Sequence, residues 1–279
     1  MQQTLILIQC KDRTGLVASI AKVLADYGLN IEAMREYVDV HASLFFARIA
    51  SSGVLSDKAL LLHDLRQQLP ENASVIINPP NPKKLVVLVT KEYHCLGDIL
   101  SRNFFKTPET DVVAVIGNHR YLQAFTEGFS IPFYHVSHDG KSPEAFESEI
   151  LQILDQYKPD YLVLAKFMRI LSAAFLANYP DRIINIHHSF LPAFAGAHPY
   201  RRAFERGVKL IGATAHFVTK DLDAGPIISQ QTIKIDHTYT VAQMVEAGQE
   251  VEKTVLNRAL KLVARDQVFI SGNKTIVFE

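Results

Sequence analysis

The chain has 279 residues, which corresponds to about two domains on the usual scale of roughly 100–200 residues each. Hydrophobic residues make up 48% and charged residues 21%, as is typical of a globular protein with a buried core. Acidic and basic residues balance at 29 each, which argues against nucleic acid or a membrane surface as the main partner.

The cysteines and the first residues indicate the cellular compartment. Two cysteines, Cys10 and Cys95, favour a reducing environment and argue against a disulfide framework. Residues 1–3 (MQQ) lack the basic segment of a secretion signal, and no apolar run approaches the roughly 18 residues of a membrane helix. These features predict a cytoplasmic protein that does not contact a membrane.

The first part of the chain alternates strand and helix patterns. Apolar residues recur at helical spacing from Leu16 to Tyr27, and Gly28 is a natural stop. The predicted elements, in chain order, are a strand at 4–10, a helix at 16–27, strands at 30–39 and 42–51, a helix capped by Ser56, and a strand at 74–78. This βαββαβ order is that of a ferredoxin-like domain.

The turn after the first strand carries a family resemblance. Residues 11–17 (KDRTGLV) and the later 28–31 (GLNI) resemble the ACT domain over about the first 80 residues. Because members pair between subunits and bind a small amino acid there, the resemblance implies a homodimer or homotetramer with an effector site. That site would comprise Asp12, Arg13, Thr14, Gly15 and Asn30. In the alternative, the module only oligomerises, with Asp12 and Thr14 capping the helix and Gly15 relaxing the turn.

A proline-rich segment, 78–84 (NPPNPKK), follows this first region. Proline cannot donate a backbone hydrogen bond to a sheet, and it restrains the residue before it, so the segment is typical of a linker. The sequence therefore predicts two domains, at residues 1–80 and 84–279.

The second region has the strand–helix rhythm of a doubly wound α/β sheet. Its apolar strands read as segments buried on both faces. Predicted strands lie at 85–90, 112–116, 133–136, 161–165 and 183–186. Predicted helices lie at 97–104, 122–129, 144–157 and 172–179, followed by a long amphipathic stretch at 240–265 and a strand pattern at 268–278.

Polar groups end the strand at 183–192 (IINIHHSFLP). Ligands of parallel sheets bind at the carboxyl ends of the strands, and residues two apart on a strand share a face. Asn185 and His187 would therefore point the same way, with an amide to hold an oxyanion and an imidazole to move protons. The alternative is that both only hydrogen-bond the loop.

A second polar segment is 216–228 (HFVTKDLDAGPII). Its Gly225-Pro226 pair predicts a sharp change of direction. A carboxylate returned to the strand ends could orient His187 and position a water, although aspartates in loops more often serve turn chemistry.

Together, the two segments resemble the signature of the folate-dependent formyltransferases, over a region from about Lys84 onward. By that resemblance the fold is a Rossmann-like formyltransferase domain, and Asn185, His187 and Asp223 are its catalytic residues. The folate site would comprise Met168, Arg169, Leu171, Val218 and Asp221. The formylated folate would be a substrate, and no cofactor or metal is implied: His187, His188 and His198 lack a further ligand at familiar spacing.

The sequence differs from what family members that transfer the formyl group to a phosphorylated acceptor or to tRNA would need. The loop at 90–98 has one glycine and adds Glu92 and Asp98, which counts against an acceptor that carries phosphate. The neutral charge counts against tRNA. What remains is water, and the fusion of an ACT domain to this core resembles the hydrolytic member of the family. That resemblance implies hydrolysis of 10-formyltetrahydrofolate to formate and tetrahydrofolate. The alternatives are transfer to an amine and a sensor without catalysis.

Overall fold

The computed structural model describes residues 3–106, 109–192 and 199–279. The chain forms two compact units: the first contains residues up to Pro80 with Asp266–Ser271 and Ile276–Glu279, and the second contains Asn81–Arg265 with Gly272–Thr275. The sequence assigns all of 84–279 to the second domain, whereas the structure groups most of the C-terminal strand pattern with the first unit. Within the described ranges, no helix is long and apolar enough to cross a membrane.

The first unit is a four-stranded antiparallel sheet with two helices, in the predicted ferredoxin-like order, which confirms the fold class. Its elements are β1 (Gln3–Lys11), α1 (Leu16–Asp26), β2 (Asn30–Asp39), β3 (Leu44–Ser52), α2 (Lys58–Gln68) and β4 (Ser74–Ile77). The strands are arranged in the order β2-β3-β1-β4.

Both faces of this sheet are covered. Alternate residues of β1, such as Ile6 and Ile8, pack with α1 and α2 in one apolar core. On strand β3, Phe46 is fully buried outside that core and meets Phe269 edge-on, with ring centroids 5.7 Å apart. Phe269 belongs to β12 (Val268–Ser271), which pairs with β13 (Lys274–Val277). The C-terminal strands therefore cover part of the second face of the first sheet.

The helix starts in this unit differ from the sequence prediction. Gly15 precedes α1 with a φ of 89°, a left-handed conformation that glycine adopts without strain, and no side chain caps this helix. The structure therefore contradicts capping by Asp12 or Thr14. Helix α2 is capped by Asp57, whose carboxylate accepts a hydrogen bond from the backbone N–H of Leu60 at 2.9 Å, and Ser56 lies one residue too early.

The second unit is a seven-stranded mixed sheet with helices. Its strands are β5 (Lys83–Val89), β6 (Thr110–Gly117), β7 (Phe133–His135), β8 (Tyr161–Leu164), β9 (Ile183–His187), β10 (Leu210–Phe217) and β11 (Ile227–Lys234). Its helices are α3 (His94–Phe104), α4 (Gln123–Glu127), α5 (Pro143–Tyr157), α6 (Ala173–Leu176), α7 (Pro199–Arg206) and α8 (Val241–Ala264). Helices α4 and α6 are shorter than predicted, and a 3-10 turn, Arg120–Leu122, precedes α4.

The strand order is β11-β10-β9-β8-β5-β6-β7. The five strands predicted from the sequence pair in parallel, as expected, while β10 and β11 join antiparallel beyond β9 and were not predicted. Strand β5 is buried on both faces: Val86 and Leu88 pack in a core with α5, and the alternate Leu85, Val87 and Val89 are equally covered. Because parallel strands end at one edge of the sheet, the residues after β5, β8 and β9 lie near one another.

The cap of α2 gives a test of the local structure. We expect Asp57→Ala to weaken the first turn of α2 by about 1 kcal/mol, because the N–H of Leu60 loses its acceptor. Hydrogen exchange of the amides in that turn should then be about fivefold faster, since 1.4 kcal/mol corresponds to tenfold. Ser56→Ala is the matched control and should leave the exchange unchanged. Faster exchange in that variant would instead support the sequence prediction that Ser56 caps this helix.

Candidate active site

Asn185 and His187 lie on one face of β9, at its carboxyl end, and both contact the same cavity. Strand β10 places His216 directly opposite Asn185 in the antiparallel register. The Nδ2 of Asn185 and the Nε2 of His216 are 3.2 Å apart, and the Nδ1 of His216 lies 2.9 Å from the carbonyl oxygen of Phe217. Because a carbonyl can only accept, Nδ1 of His216 carries a proton, and its Nε2 lies towards Asn185.

Asp223 reaches the strand end through a loop that folds back against β10. Its backbone has a φ of 54°, a left-handed conformation that aspartate tolerates better than most residues. Gly225 lies so close to β10 that a Cβ there would be 1.8 Å from the carbonyl oxygen of Phe217, so no other residue fits without moving the loop. Phe217 also donates its backbone N–H to the carbonyl of Pro226, at 2.9 Å.

The Asp223 carboxylate lies between two imidazoles. Its Oδ2 is 3.2 Å from Nδ1 of His187, and its Oδ1 is 3.7 Å from Nε2 of His216. The hydrogen bond from His187, and then that from His216, hold the pKa of Asp223 far below its usual range. The carboxylate therefore stays ionised and accepts from Nδ1–H of His187, which leaves the buried Nε2 of His187 without a hydrogen-bond partner among the described residues.

The loop after β8 forms the apolar wall of the cavity. It begins at Lys166, in a left-handed conformation with a φ of 61°, and ends at Ser172. Glu147 on α5 is buried and accepts hydrogen bonds from both the backbone N–H and the hydroxyl of Ser172. Met168 and Ile170 are 57% and 77% exposed, which leaves apolar surface available to a ligand.

The cavity has a volume of about 1020 Å³, at the upper end of the range for small-molecule sites. All three predicted catalytic residues line it, and so do four of the five predicted folate contacts: Met168, Arg169, Leu171 and Val218. Asp221 does not line the cavity and is exposed. Its carbonyl accepts a hydrogen bond from the hydroxyl of Thr219 at 3.1 Å, so its backbone shapes the loop. A substrate contact by Asp221 remains a prediction from the sequence.

A buried charged cluster borders the cavity beside the histidines. The Glu252 carboxylate on α8 is inaccessible to solvent; its Oε2 lies 2.7 Å from Nε2 of His94 and 3.2 Å from Nζ of Lys166, and its Oε1 accepts from the Tyr200 hydroxyl at 2.7 Å. Nζ of Lys166 also lies 3.3 Å from Nδ1 of His188. Burial raises the pKa of Glu252, but the hydrogen bond from His94 and the nearby ammonium of Lys166 outweigh it and lower this pKa to about 2.

Within the described ranges, one group has the residue types of a metal site: His94, Cys95 and Glu252, whose ligand atoms lie within 4.8 Å of one another. Burial raises the pKa of the Cys95 thiol well above its usual value, which disfavours the thiolate that binds metals. Lys166 already supplies a positive charge to Glu252. The third histidine considered in the sequence, His198, lies outside the described residues.

The predicted effector residues are divided between the two ends of the first sheet. Asp12, Arg13, Thr14 and Gly15 follow Lys11, which pairs with Leu44, whereas Asn30 pairs with Ser52 at the opposite end. Strands rise by about 3.3 Å per residue, so these ends are separated by about 25 Å. One amino acid therefore cannot contact all five residues in a single chain.

The sequence prediction omitted His216, His94, Tyr200 and Glu252 from the site. His216 stands in the quoted segment 216–228, and its position one strand away from Asn185 becomes apparent only once β10 is known to pair with β9. Glu252 lies in an amphipathic helix among charged neighbours, where a glutamate is normally solvated. No spacing signal connects it with His94 or Lys166.

Comparison with known proteins defines the class of this chain. Residues 83–260 match the family described as Formyl transferase, and residues 4–57 match the ACT domain family. The resemblances read from the sequence are thereby confirmed. The class is a formyl transferase domain preceded by an ACT domain.

Relatives that match almost the whole chain identify a particular family within this class. A formyltetrahydrofolate deformylase from Haemophilus influenzae is 47% identical over 277 residues, which cover 99% of each chain. The crystal structure of a formyltetrahydrofolate deformylase from Pseudomonas syringae superposes with a TM-score of 0.93 at 36% identity, covering 100% of this chain and 95% of that one. A glycinamide ribonucleotide transformylase from Symbiobacterium toebii, at a TM-score of 0.68 and 30% identity, covers 71% of this chain and 94% of its own. The chain belongs to the formyltetrahydrofolate deformylase family.

The buried carboxylate predicts a pH-dependent contribution to stability. Glu252→Gln leaves the ammonium of Lys166 buried with its main countercharge removed, so we expect a loss of about 3–5 kcal/mol at pH 7. The contribution of Glu252 is fully present above its unfolded pKa of about 4.3 and is lost as the pH falls towards 2. The difference between wild type and variant should therefore narrow below pH 4, in thermal unfolding followed by circular dichroism.

Glu250→Gln is the matched control, because Glu250 lies on the same helix with its side chain 68% exposed. It should change the unfolding temperature little at any pH. An equal effect of the two substitutions, or a difference at Glu252 that stays constant down to pH 3, would contradict the assigned charge state.

Proposed function

We propose that this chain hydrolyses 10-formyltetrahydrofolate to formate and tetrahydrofolate, with Asn185, His187 and Asp223 as its catalytic residues. The observation that carries the proposal is their convergence on one cavity, in which Asp223 accepts from Nδ1 of His187 at 3.2 Å. That contact directs Nε2 of His187 towards a reacting group. The reaction would return the folate carrier to the one-carbon pool and supply formate for purine synthesis.

The proposed reaction begins with water positioned by Asp223 and His187 near the formyl carbon. As the oxygen of water bonds to that carbon, Nε2 of His187 takes up a proton, and the carbonyl oxygen becomes an oxyanion. Asn185 has two amide N–H groups; one lies towards His216 and the other is available to donate to the oxyanion. Breaking the carbon–nitrogen bond with protonation of the folate nitrogen then releases formate and tetrahydrofolate. The step uses only water and side chains of this chain.

The proposed folate site is the apolar part of the cavity. Met168, Leu171 and Val218 offer flat apolar contacts to a ring system, and the exposed Arg169 offers a cation to a carboxylate of the ligand. Glu147 contributes indirectly, because it holds Ser172 at the end of this loop. Asp221 stays in the proposal as a contact that forms only if its loop moves.

Hydrolysis is favoured over transfer to an amine because deformylases match a larger share of this chain than the transformylase does. Relatives described as deformylases match almost the whole chain, whereas the transformylase structure covers 71% of it. The loop after β5 adds a further argument, since Glu92 lines the cavity and would repel a phosphorylated acceptor.

The proposal for the first unit is an amino-acid effector site shared by two copies of the chain. Asp12, Arg13, Thr14 and Gly15 lie at one end of the sheet and Asn30 at the other. An effector that contacts both groups therefore requires the turn of one copy and Asn30 of another. A homodimer or homotetramer satisfies this requirement.

The first test is the release of formate from 10-formyltetrahydrofolate by the purified protein, with no amine added. We expect Asn185→Ala to lower kcat by about 10²–10³, because one oxyanion donor is lost. His187→Ala should lower it further. Asn178→Ala, at an exposed asparagine two residues after α6 that does not line the cavity, is the control and should keep the wild-type rate. Wild-type turnover in Asn185→Ala would refute the assigned role.

The second test distinguishes the role of Asp223 from that of Asp221, which lies in the same loop. Asp223→Asn should lower kcat by at least about 10², because His187 loses its anionic partner. Since the pKa of Asp223 lies far below its usual range, the wild-type carboxylate is ionised at every pH from 5 to 9, and a loss should be present throughout that range. Asp221→Asn should leave kcat near wild type. A raised KM in Asp221→Asn would support the substrate contact inferred from the sequence, and a loss in Asp223→Asn confined to part of the pH range would contradict the proposed charge.

A further inference from the structure

The cavity has two ends of different chemistry. One is apolar and comprises the loop with Met168 and Ile170, together with Val218. The other is polar and is lined by Glu92, Lys166, His188, Tyr200 and Glu252. If folate occupies the apolar end, any acceptor of the formyl group must approach from the polar end.

The buried carboxylate and ammonium of the polar end bond to groups of the chain itself. Both oxygens of Glu252 are engaged: Oε1 accepts from the Tyr200 hydroxyl, and Oε2 accepts from His94 and lies 3.2 Å from Nζ of Lys166. The same ammonium lies 3.3 Å from Nδ1 of His188, whose ring stacks on the catalytic His187 with centroids 4.9 Å apart. A polar molecule that entered here would lose its hydration and find these groups already engaged.

The surrounding backbone is arranged to keep this cluster together. Lys166 is 6% exposed and holds a left-handed conformation with a φ of 61°, which is unfavourable for a lysine. At Gly248 on α8, a Cβ would lie 2.2 Å from the ring of Tyr200, so a larger residue there would displace Tyr200 from its present contact with Glu252. Buried charges contribute little net stability, and strain of this kind occurs mostly at functional sites.

We propose that the Lys166–Glu252 pair, held by His94 and Tyr200, determines acceptor specificity: it fills the polar end of the cavity, excludes amines and leaves room only for water. This inference rests on the proposed function. Lys166 and Glu252 are specificity-determining residues and take no part in bond making. The exclusion works against competing acceptors and does not improve binding of the folate.

Removing the lysine side chain should therefore open the polar end to a small amine. In the resulting reaction the amine nitrogen bonds to the formyl carbon and loses a proton, the carbon–nitrogen bond to folate breaks, and the folate nitrogen gains a proton. The carboxylate of Glu252 would then accept a hydrogen bond from the incoming amine in place of Lys166. The product is an N-formyl amine, which is distinguishable from formate.

The experiment measures how the formyl group is divided between water and glycinamide, a weakly basic primary amine. The purified full-length protein is incubated with 10-formyltetrahydrofolate and glycinamide, and formate and N-formylglycinamide are quantified by mass spectrometry. The variants are Lys166→Ala and the double substitution Lys166→Ala with Glu252→Gln, which avoids leaving a buried unpaired charge. Lys253→Ala is the matched control, because Lys253 forms an ion pair with the exposed Glu250 on α8 outside the cavity.

We expect wild type and Lys253→Ala to form formate almost exclusively. Lys166→Ala or the double variant should raise the ratio of N-formylglycinamide to formate by at least about tenfold. A loss of stability alone lowers both products together and leaves the ratio unchanged. If wild type releases formate and both variants keep its ratio, the acceptor inference is overturned and hydrolysis stands. If wild type releases no formate, the proposed function itself fails.

Discussion

The contact between Asp223 and His187 is the constraint on which the site depends. It joins a strand end to a loop that must turn back over β10, and the turn is possible only because Gly225 has no side chain to meet the carbonyl of Phe217. The same contact keeps the carboxylate ionised and selects the tautomer of His187. One hydrogen bond thus couples the path of the loop to the charge and the direction of the imidazole.

The polar end of the cavity shows how the fold tolerates an unfavourable arrangement. Two charges, Lys166 and Glu252, are buried next to a backbone strained at Lys166. Buried charges and a strained backbone persist only when the residues packed around them fix their positions. Here the surroundings are strand β8, which is buried, and helix α8, whose buried residues other than Glu252 are apolar or glycine.

Much of this architecture could be predicted from the sequence because the signals are local. The βαββαβ order, the five parallel strands, and the side chains of Asn185 and His187 on one face follow from spacing along the chain. The sequence does not predict strands β10 and β11. Gly212 interrupts the apolar pattern of β10, and a run of polar residues occupies the middle of β11. The Glu252 cluster was missed because its members are far apart in sequence, and only tertiary packing brings them together. For the same reason the separation of Asn30 from the Asp12 turn required the strand register.

The packing of Phe269 against Phe46 has a consequence for the order in which the chain folds. Part of one face of the first sheet is covered by residues that leave the ribosome only after Asn81–Arg265 of the second unit have been made. The region synthesised first therefore completes its burial last, and Phe46 stays without its aromatic partner during that interval. Exposed apolar sheet surface of this kind is a target for chaperones and for self-association. The first unit therefore keeps this apolar surface for as long as Asn81–Arg265 are being synthesised.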